Sequence, residues 1–231
     1  MRRPTLIVAA LLMLFTRLSK MPPDGLLRGN DAYYHLRSVR WTMEHWPATL
    51  GFDPWTAFPA GQVSGQFGTP YDLAVATAAM AAEWAGMAAD ASVWALGTAP
   101  AVLGALAVVP TYFAARELAG ERAAIIAAVV VALMPGAFMF RTSWGFGDHH
   151  AAEILLQAAF FALYIRAQRE PRPPGRWSLL SGAALALYVL VWPPGVYVVG
   201  VVAVYHVLLA LDQGLLGDGV EPGPPMAAGG S

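Results

Sequence analysis

The sequence predicts an all-α, multi-spanning membrane protein with about six spanning helices and a long first external loop. Three observations carry that expectation. Hydrophobic residues make up 57% of the 231 positions and charged residues only 13%, with a mean hydropathy of +0.51, outside the range of ordinary soluble domains. Charge-free runs long enough for a ~30 Å hydrocarbon core recur through the second half of the chain. Arg166, Arg169, Arg172 and Arg176 crowd one short connection between two such runs. The net charge of −1 offers no basic field for nucleic acid. With no cysteine, a metal is held by oxygen and imidazole.

Pro4 to Leu18 follows Arg2 and Arg3 like a signal peptide, but no small-residue cleavage site comes before Lys20, so an uncleaved anchor is expected. Being short, it requires either that Arg17 and Lys20 snorkel or that the true start lies upstream. A polar external loop then runs over about 19–90. Within it Asn30 or Asp31 caps a helix reaching Trp46, whose stripe of Ala32, Leu36, Val39, Met43 and Trp46 suits a membrane surface. The stretch from Gly51 to Pro70 reads as turn-rich loop with interfacial aromatics. Asp72 to Asp90, mostly alanine and interrupted by Glu83, reads as non-spanning.

Ala91 to Ala115 and Ala123 to Phe140 are each long enough to cross, with Arg116 to Arg122 as the turn between them. Ala151 to Ile165 makes a further crossing. Trp177 to Leu211 is too long for one, and Trp192-Pro193-Pro194-Gly195 divides it into a hairpin. The Gly/Pro-rich stretch 212–231 reads as a flexible tail. Short arginine-rich loops stay in the cytoplasm. Counting back from Arg172 therefore puts Asp148 to His150 outside and Arg116 and Arg122 inside. With 73–89 non-spanning, Asp31 shares the external face with Asp148.

The stretch Trp144-Gly145-Phe146-Gly147-Asp148-His149-His150-Ala151-Ala152-Glu153 concentrates ionisable side chains at a membrane boundary, where they are costly unless paired or functional. Gly145 and Gly147 allow a tight turn before the next helix. Asp31, Asp148 and His150 offer two hard oxygens and one imidazole, a set suited to Mn²⁺ or Mg²⁺, with Zn²⁺ also able to bind. Glu153 is as readily a helix-facing partner of a histidine as a ligand, and His35 and His45 are expected on a solvated face. A plainer reading has Asp148 only capping a helix, with His149 and His150 in the headgroup region.

Gly29 to Arg37 (GNDAYYHLR), Phe52 to Thr56 (FDPWT) and Arg141 to His150 (RTSWGFGDHH) together resemble the catalytic subunit of oligosaccharyltransferase, of the archaeal AglB and bacterial PglB type. The resemblance reaches to about Leu211. It implies a GT-C fold, with 1–211 as the N-terminal part of the transmembrane catalytic domain. It further implies transfer of an oligosaccharide from a polyprenyl phosphate or pyrophosphate carrier to the Asn of an Asn-x-Ser/Thr sequon in an acceptor protein. By the same resemblance Asp31 contacts both metal and acceptor amide, Asp148 and His150 complete the metal site, and Arg141 organises it. The Trp-Trp-Asp motif, a second catalytic Glu and a soluble C-terminal domain, all part of that family's pattern, do not occur in these residues, so a fragment incomplete for activity is expected. The alternatives are another polyprenyl-sugar-dependent GT-C glycosyltransferase and a non-catalytic membrane scaffold.

Overall fold

A computed structural model describes residues 3–22, 25–64, 69–87, 89–170 and 174–216. Helices account for most of them: α1 (Arg3–Leu18), α2 (Asn30–His45), α3 (Thr69–Trp84), α4 (Ala91–Leu133), α5 (Ala137–Arg141), α6 (His150–Ala167), α7 (Arg176–Val191) and α8 (Tyr197–Leu216). The chain divides into two units, Met1–Pro193 and Pro194–Ser231. In the second unit the described part is the end of a 3-10 turn and α8. The flexible tail expected from 212 is corrected in part, because α8 continues to Leu216. The rest of that stretch lies outside the described residues, as do Arg172 and the loop over 65–68.

Among the described residues, two helices are long and apolar enough to cross a membrane, Ala91–Leu133 and Pro193–Gln213, and Pro4–Leu18 and Arg176–Val191 are shorter apolar helices. α4 is two helical limbs joined at Gly120, whose φ of 79° and ψ of −174° are not helical. The break falls inside the Arg116 to Arg122 turn read from the sequence.

In the first unit α1 packs on α4, α4 on α6, and α6 on α7, while α2 and α3 pack on each other and on α4. One core joins Ala9 and Met13 of α1 to Ala105, Val108, Ala124, Ala128 and Ala132 of α4. Apolar surface gains little by leaving lipid for a neighbouring helix, so helices in a membrane associate by close packing, which small residues permit. A second core gathers Leu36 and Val39 of α2, Tyr71, Val75 and Ala76 of α3, Leu96 of α4 and Ala152 of α6.

Several sequence expectations are corrected. The all-α class gains a short antiparallel pair, β1 (Phe52–Asp53) with β2 (Gln62–Val63). Neither Asn30 nor Asp31 caps α2: Gly29 precedes it with a φ of 81° and no side-chain cap. Arg17 does not snorkel. It is fully buried, with Nε donating to Thr142 Oγ1 at 3.0 Å and its guanidinium 5.9 Å from the Phe138 ring. A buried donor set needs partners, and besides Thr142 these are Thr16 Oγ1 at 3.1 Å and the Met134 carbonyl at 3.5 Å.

Candidate metal centre

The centre is assembled around the short segment between α5 and α6. Trp144 N–H donates to the Arg17 carbonyl at 3.1 Å, Gly145 N–H to the Gly97 carbonyl at 2.8 Å, and Arg28 N–H to the Gly145 carbonyl at 2.7 Å. These bonds tie the segment to the end of α1, the start of α4 and the strand of chain leading into α2. Gly145 takes a φ of +85°, the left-handed region that glycine occupies without strain. Gly147 serves packing instead, since a Cβ there would lie 2.6 Å from Leu96 Cγ.

Asp148, 2% exposed, is thereby delivered into a cluster of imidazoles. Its Oδ1 accepts the His149 backbone N–H at 2.6 Å and lies 3.2 Å from His35 Nε2 and 2.6 Å from His149 Nδ1. Its Oδ2 faces His150 Nε2 at 3.4 Å. His150 Nδ1 in turn meets Glu153 Oε2 at 3.0 Å, one turn along α6. Asp148 does not cap α6 by its side chain: His149 stands at the N-cap position, and Asp148 takes only the adjacent amide. Burial would raise the Asp148 pKa, but hydrogen bonds from His149 and His35 outweigh it and hold the carboxyl well below its usual range.

His35 is the largest departure from the sequence reading. Expected on a solvated face, it is 1% exposed. Its Nδ1 lies 2.6 Å from Asp72 Oδ1, and Tyr34 and Tyr71 stand edge-on to its ring at 5.3 and 5.4 Å. Burial alone would lower its pKa, yet hydrogen bonds with Asp148 and Asp72 and their charges push it up to about 9. The signal was present in the spacing. His35 follows Ala32 by three residues and precedes Val39 by four, so it lies on the apolar stripe. Asp72 likewise precedes buried Val75 and Ala76 by three and four residues.

Asp31 occupies the first turn of α2, exposed, one turn before His35 on the same face. Arg141 ends α5, also exposed. Among the described residues, two groups of donors each fall within 4.8 Å: His35, Asp148 and His149, and His149, His150 and Glu153. Both are oxygen and imidazole sets without thiolate, which fits a divalent cation of the Mn²⁺, Mg²⁺ or Zn²⁺ class.

The family model described as oligosaccharyl transferase STT3, N-terminal, matches residues 6–216. The chain is 40% identical over 230 residues to the dolichyl-monophosphooligosaccharide–protein glycotransferase AglB of Haloferax volcanii, covering 89% of this chain and 22% of that protein. It is similar to the crystal structure of the Archaeoglobus fulgidus oligosaccharyltransferase in complex with zinc and sulfate, with a TM-score of 0.77 and 28% identity over 87% of this chain and 26% of that one. The same enzyme tethered to an acceptor peptide containing the NVT sequon matches with a TM-score of 0.78 and 27% identity, covering 87% of this chain and 25% of that one. The chain thus spans about a quarter of the length of these relatives.

Proposed function

Because this chain belongs to the oligosaccharyl transferase STT3 family, we propose that it contributes the N-terminal part of a membrane oligosaccharyltransferase. The reaction moves an oligosaccharide from a polyprenyl phosphate or pyrophosphate carrier to the asparagine of an Asn-x-Ser/Thr sequon. The observation that carries this reading is the convergence of α2, α3 and the segment after α5 on one acid–imidazole cluster, in a chain whose relative is named for such a transfer.

In this reading Asp31, Asp148 and His150 hold a divalent ion, Mn²⁺ or Mg²⁺, with Zn²⁺ as the alternative. The 3.4 Å between Asp148 Oδ2 and His150 Nε2 supports it. Neighbouring ligands on bonds of about 2.0–2.2 Å stand about 2.9–3.5 Å apart. The ion would supply positive charge to offset the negative charge that develops on the phosphate leaving group. Asp31, exposed beside the cluster, accepts an N–H of the acceptor carboxamide and so weakens the conjugation that makes its nitrogen a poor nucleophile. Glu153 holds His150 Nδ1 and leaves Nε2 turned to Asp148. Arg141, seven residues before Asp148, brings a fixed positive charge that organises the anionic side of the site.

The membrane arrangement belongs to the same proposal. α1, the two limbs of α4, α6, α7 and α8 make six crossings of the cell membrane, with Asp31 and Asp148 on the external face and 19–90 as the first external loop. Mass spectrometry of sequon occupancy in the native host tests the function. Asp148→Asn in the gene is expected to reduce occupancy to background, and unchanged occupancy would overturn the assignment.

A further inference from the structure

We propose that His35 and Asp72 form a positioning dyad for the ion site: Asp72 orients His35, and His35 holds one oxygen of Asp148 so that the other is presented to the ion. The proposal rests on the metal reading above and adds two residues to it. Among the described contacts, those of Asp148 divide unevenly. Oδ1 receives the His149 N–H, His35 Nε2 and His149 Nδ1, whereas Oδ2 faces only His150 Nε2. A carboxylate rotates freely unless one oxygen is held, and here the held oxygen is the one turned away from the His150–Glu153 pair.

The ring of His35 has a carboxylate oxygen at each nitrogen, Asp72 at 2.6 Å and Asp148 at 3.2 Å. With a carboxylate oxygen at each nitrogen, the ring is engaged on both sides, and in this proposal it positions Asp148 rather than binding the ion. Asp72 and His35 are each 1% exposed, and they come from different helices, α3 and α2. The dyad therefore couples the packing of α3 to the orientation of Asp148. Asp31 lies one turn from His35 on α2, so the same anchor sets where that carboxylate stands. Carboxylate ligands are commonly oriented by such outer partners, whose loss reduces metal affinity by about 10–100-fold.

The test is a Mn²⁺ titration, followed by electron paramagnetic resonance, of the whole chain in detergent. Wild type is compared with His35→Gln, Asp72→Asn, Asp148→Asn and Asp53→Asn. His35→Gln and Asp72→Asn are expected to weaken binding by about 10–100-fold, with the imidazole nitrogen coupling of the bound ion retained. Asp53→Asn, which loosens a different anchor of α2, should leave affinity unchanged. Together they separate positioning of Asp148 from general loosening of the helix. Unchanged affinity in both dyad variants overturns the dyad alone. Loss of a nitrogen coupling in His35→Gln makes His35 a ligand and also overturns it. An equal fall in Asp53→Asn reduces the dyad to a structural clamp. Equal, negligible binding by wild type and Asp148→Asn withdraws the metal reading itself, and the dyad with it.

Discussion

Asp148 does two jobs with its two oxygens, and substitutions can separate them. By calorimetric titration in detergent, Asp148→Asn is expected to weaken Mn²⁺, Mg²⁺ and Zn²⁺ alike, since each needs the anionic oxygen. His150→Ala should depress Mn²⁺ and Zn²⁺ more than Mg²⁺, because imidazole favours the softer ions. Equal affinities across wild type and both variants would leave Asp148 as a buried hydrogen-bond acceptor. The backbone that delivers it is equally constrained. Gly147→Ala drives a Cβ to 2.6 Å from Leu96 Cγ, and Leu96 is fully buried. An overpacking cost of about 1–3 kcal/mol is expected by denaturant unfolding. The double variant with Leu96→Ala should lose less than the sum of the two single losses, because the space removed by one is supplied by the other. Strict additivity would place the strain elsewhere.

At the scale of elements, α2 is held at several points besides its apolar stripe. Arg37 pairs with Asp53, whose Oδ1 accepts the Trp55 N–H at 2.9 Å and whose Oδ2 accepts the Thr56 hydroxyl at 2.6 Å. Arg40 pairs with Asp90, which also caps α4. Asp53 is 1% exposed. Burial would raise its pKa, but hydrogen bonds from Thr56 and Arg37 prevail and lower it. A carboxylate with a depressed folded pKa contributes stability above its unfolded value of about 3.9, and that contribution is lost as pH falls through the folded value. Protection of the β1–β2 hairpin amides against exchange, relative to their intrinsic rates, should therefore fall below about pH 4. Asp53→Asn should cost about 1–3 kcal/mol at neutral pH and remove that acid dependence. An identical acid profile in wild type and variant would assign the transition to another group.

At the scale of the first unit, the cluster and the basic turns occupy opposite ends of one helix. Gly97, which accepts the Gly145 amide, and Glu117, which pairs with Arg166 at 3.1 Å and Arg169 at 2.7 Å, are twenty residues apart on the first limb of α4. At ~1.5 Å per residue that is ~30 Å, the thickness of a hydrocarbon core. Arginine-rich turns at one end and the acid–imidazole cluster at the other give the proposed orientation its test. The natural absence of cysteine makes single-cysteine labelling clean. Tyr33→Cys is expected to react with an impermeant maleimide on intact cells, and Arg169→Cys only after permeabilisation. The reverse pattern would invert the topology.

Composition by itself predicted an apolar, helical chain, and the resemblance of its motifs led to the oligosaccharyl transferase family that the family model shows. The approach of Asp148 to His150 and the helix break between Arg116 and Arg122 were also legible, because those signals are local. A charge interrupts an apolar run, a glycine interrupts a helix, and a motif keeps its spacing. Packing decided what lay further apart in the chain. His35 and Asp72 are separated by 37 residues, and Asp72 follows nothing that resembles a motif. The spacing puts His35 on the apolar stripe of α2, but the carboxylate that pairs with it there comes from a second helix. Arg17 is the same case, read as snorkelling until Thr142, 125 residues away, supplied its acceptor. A buried charge is stable only with a partner, and the partner's identity is a property of the fold.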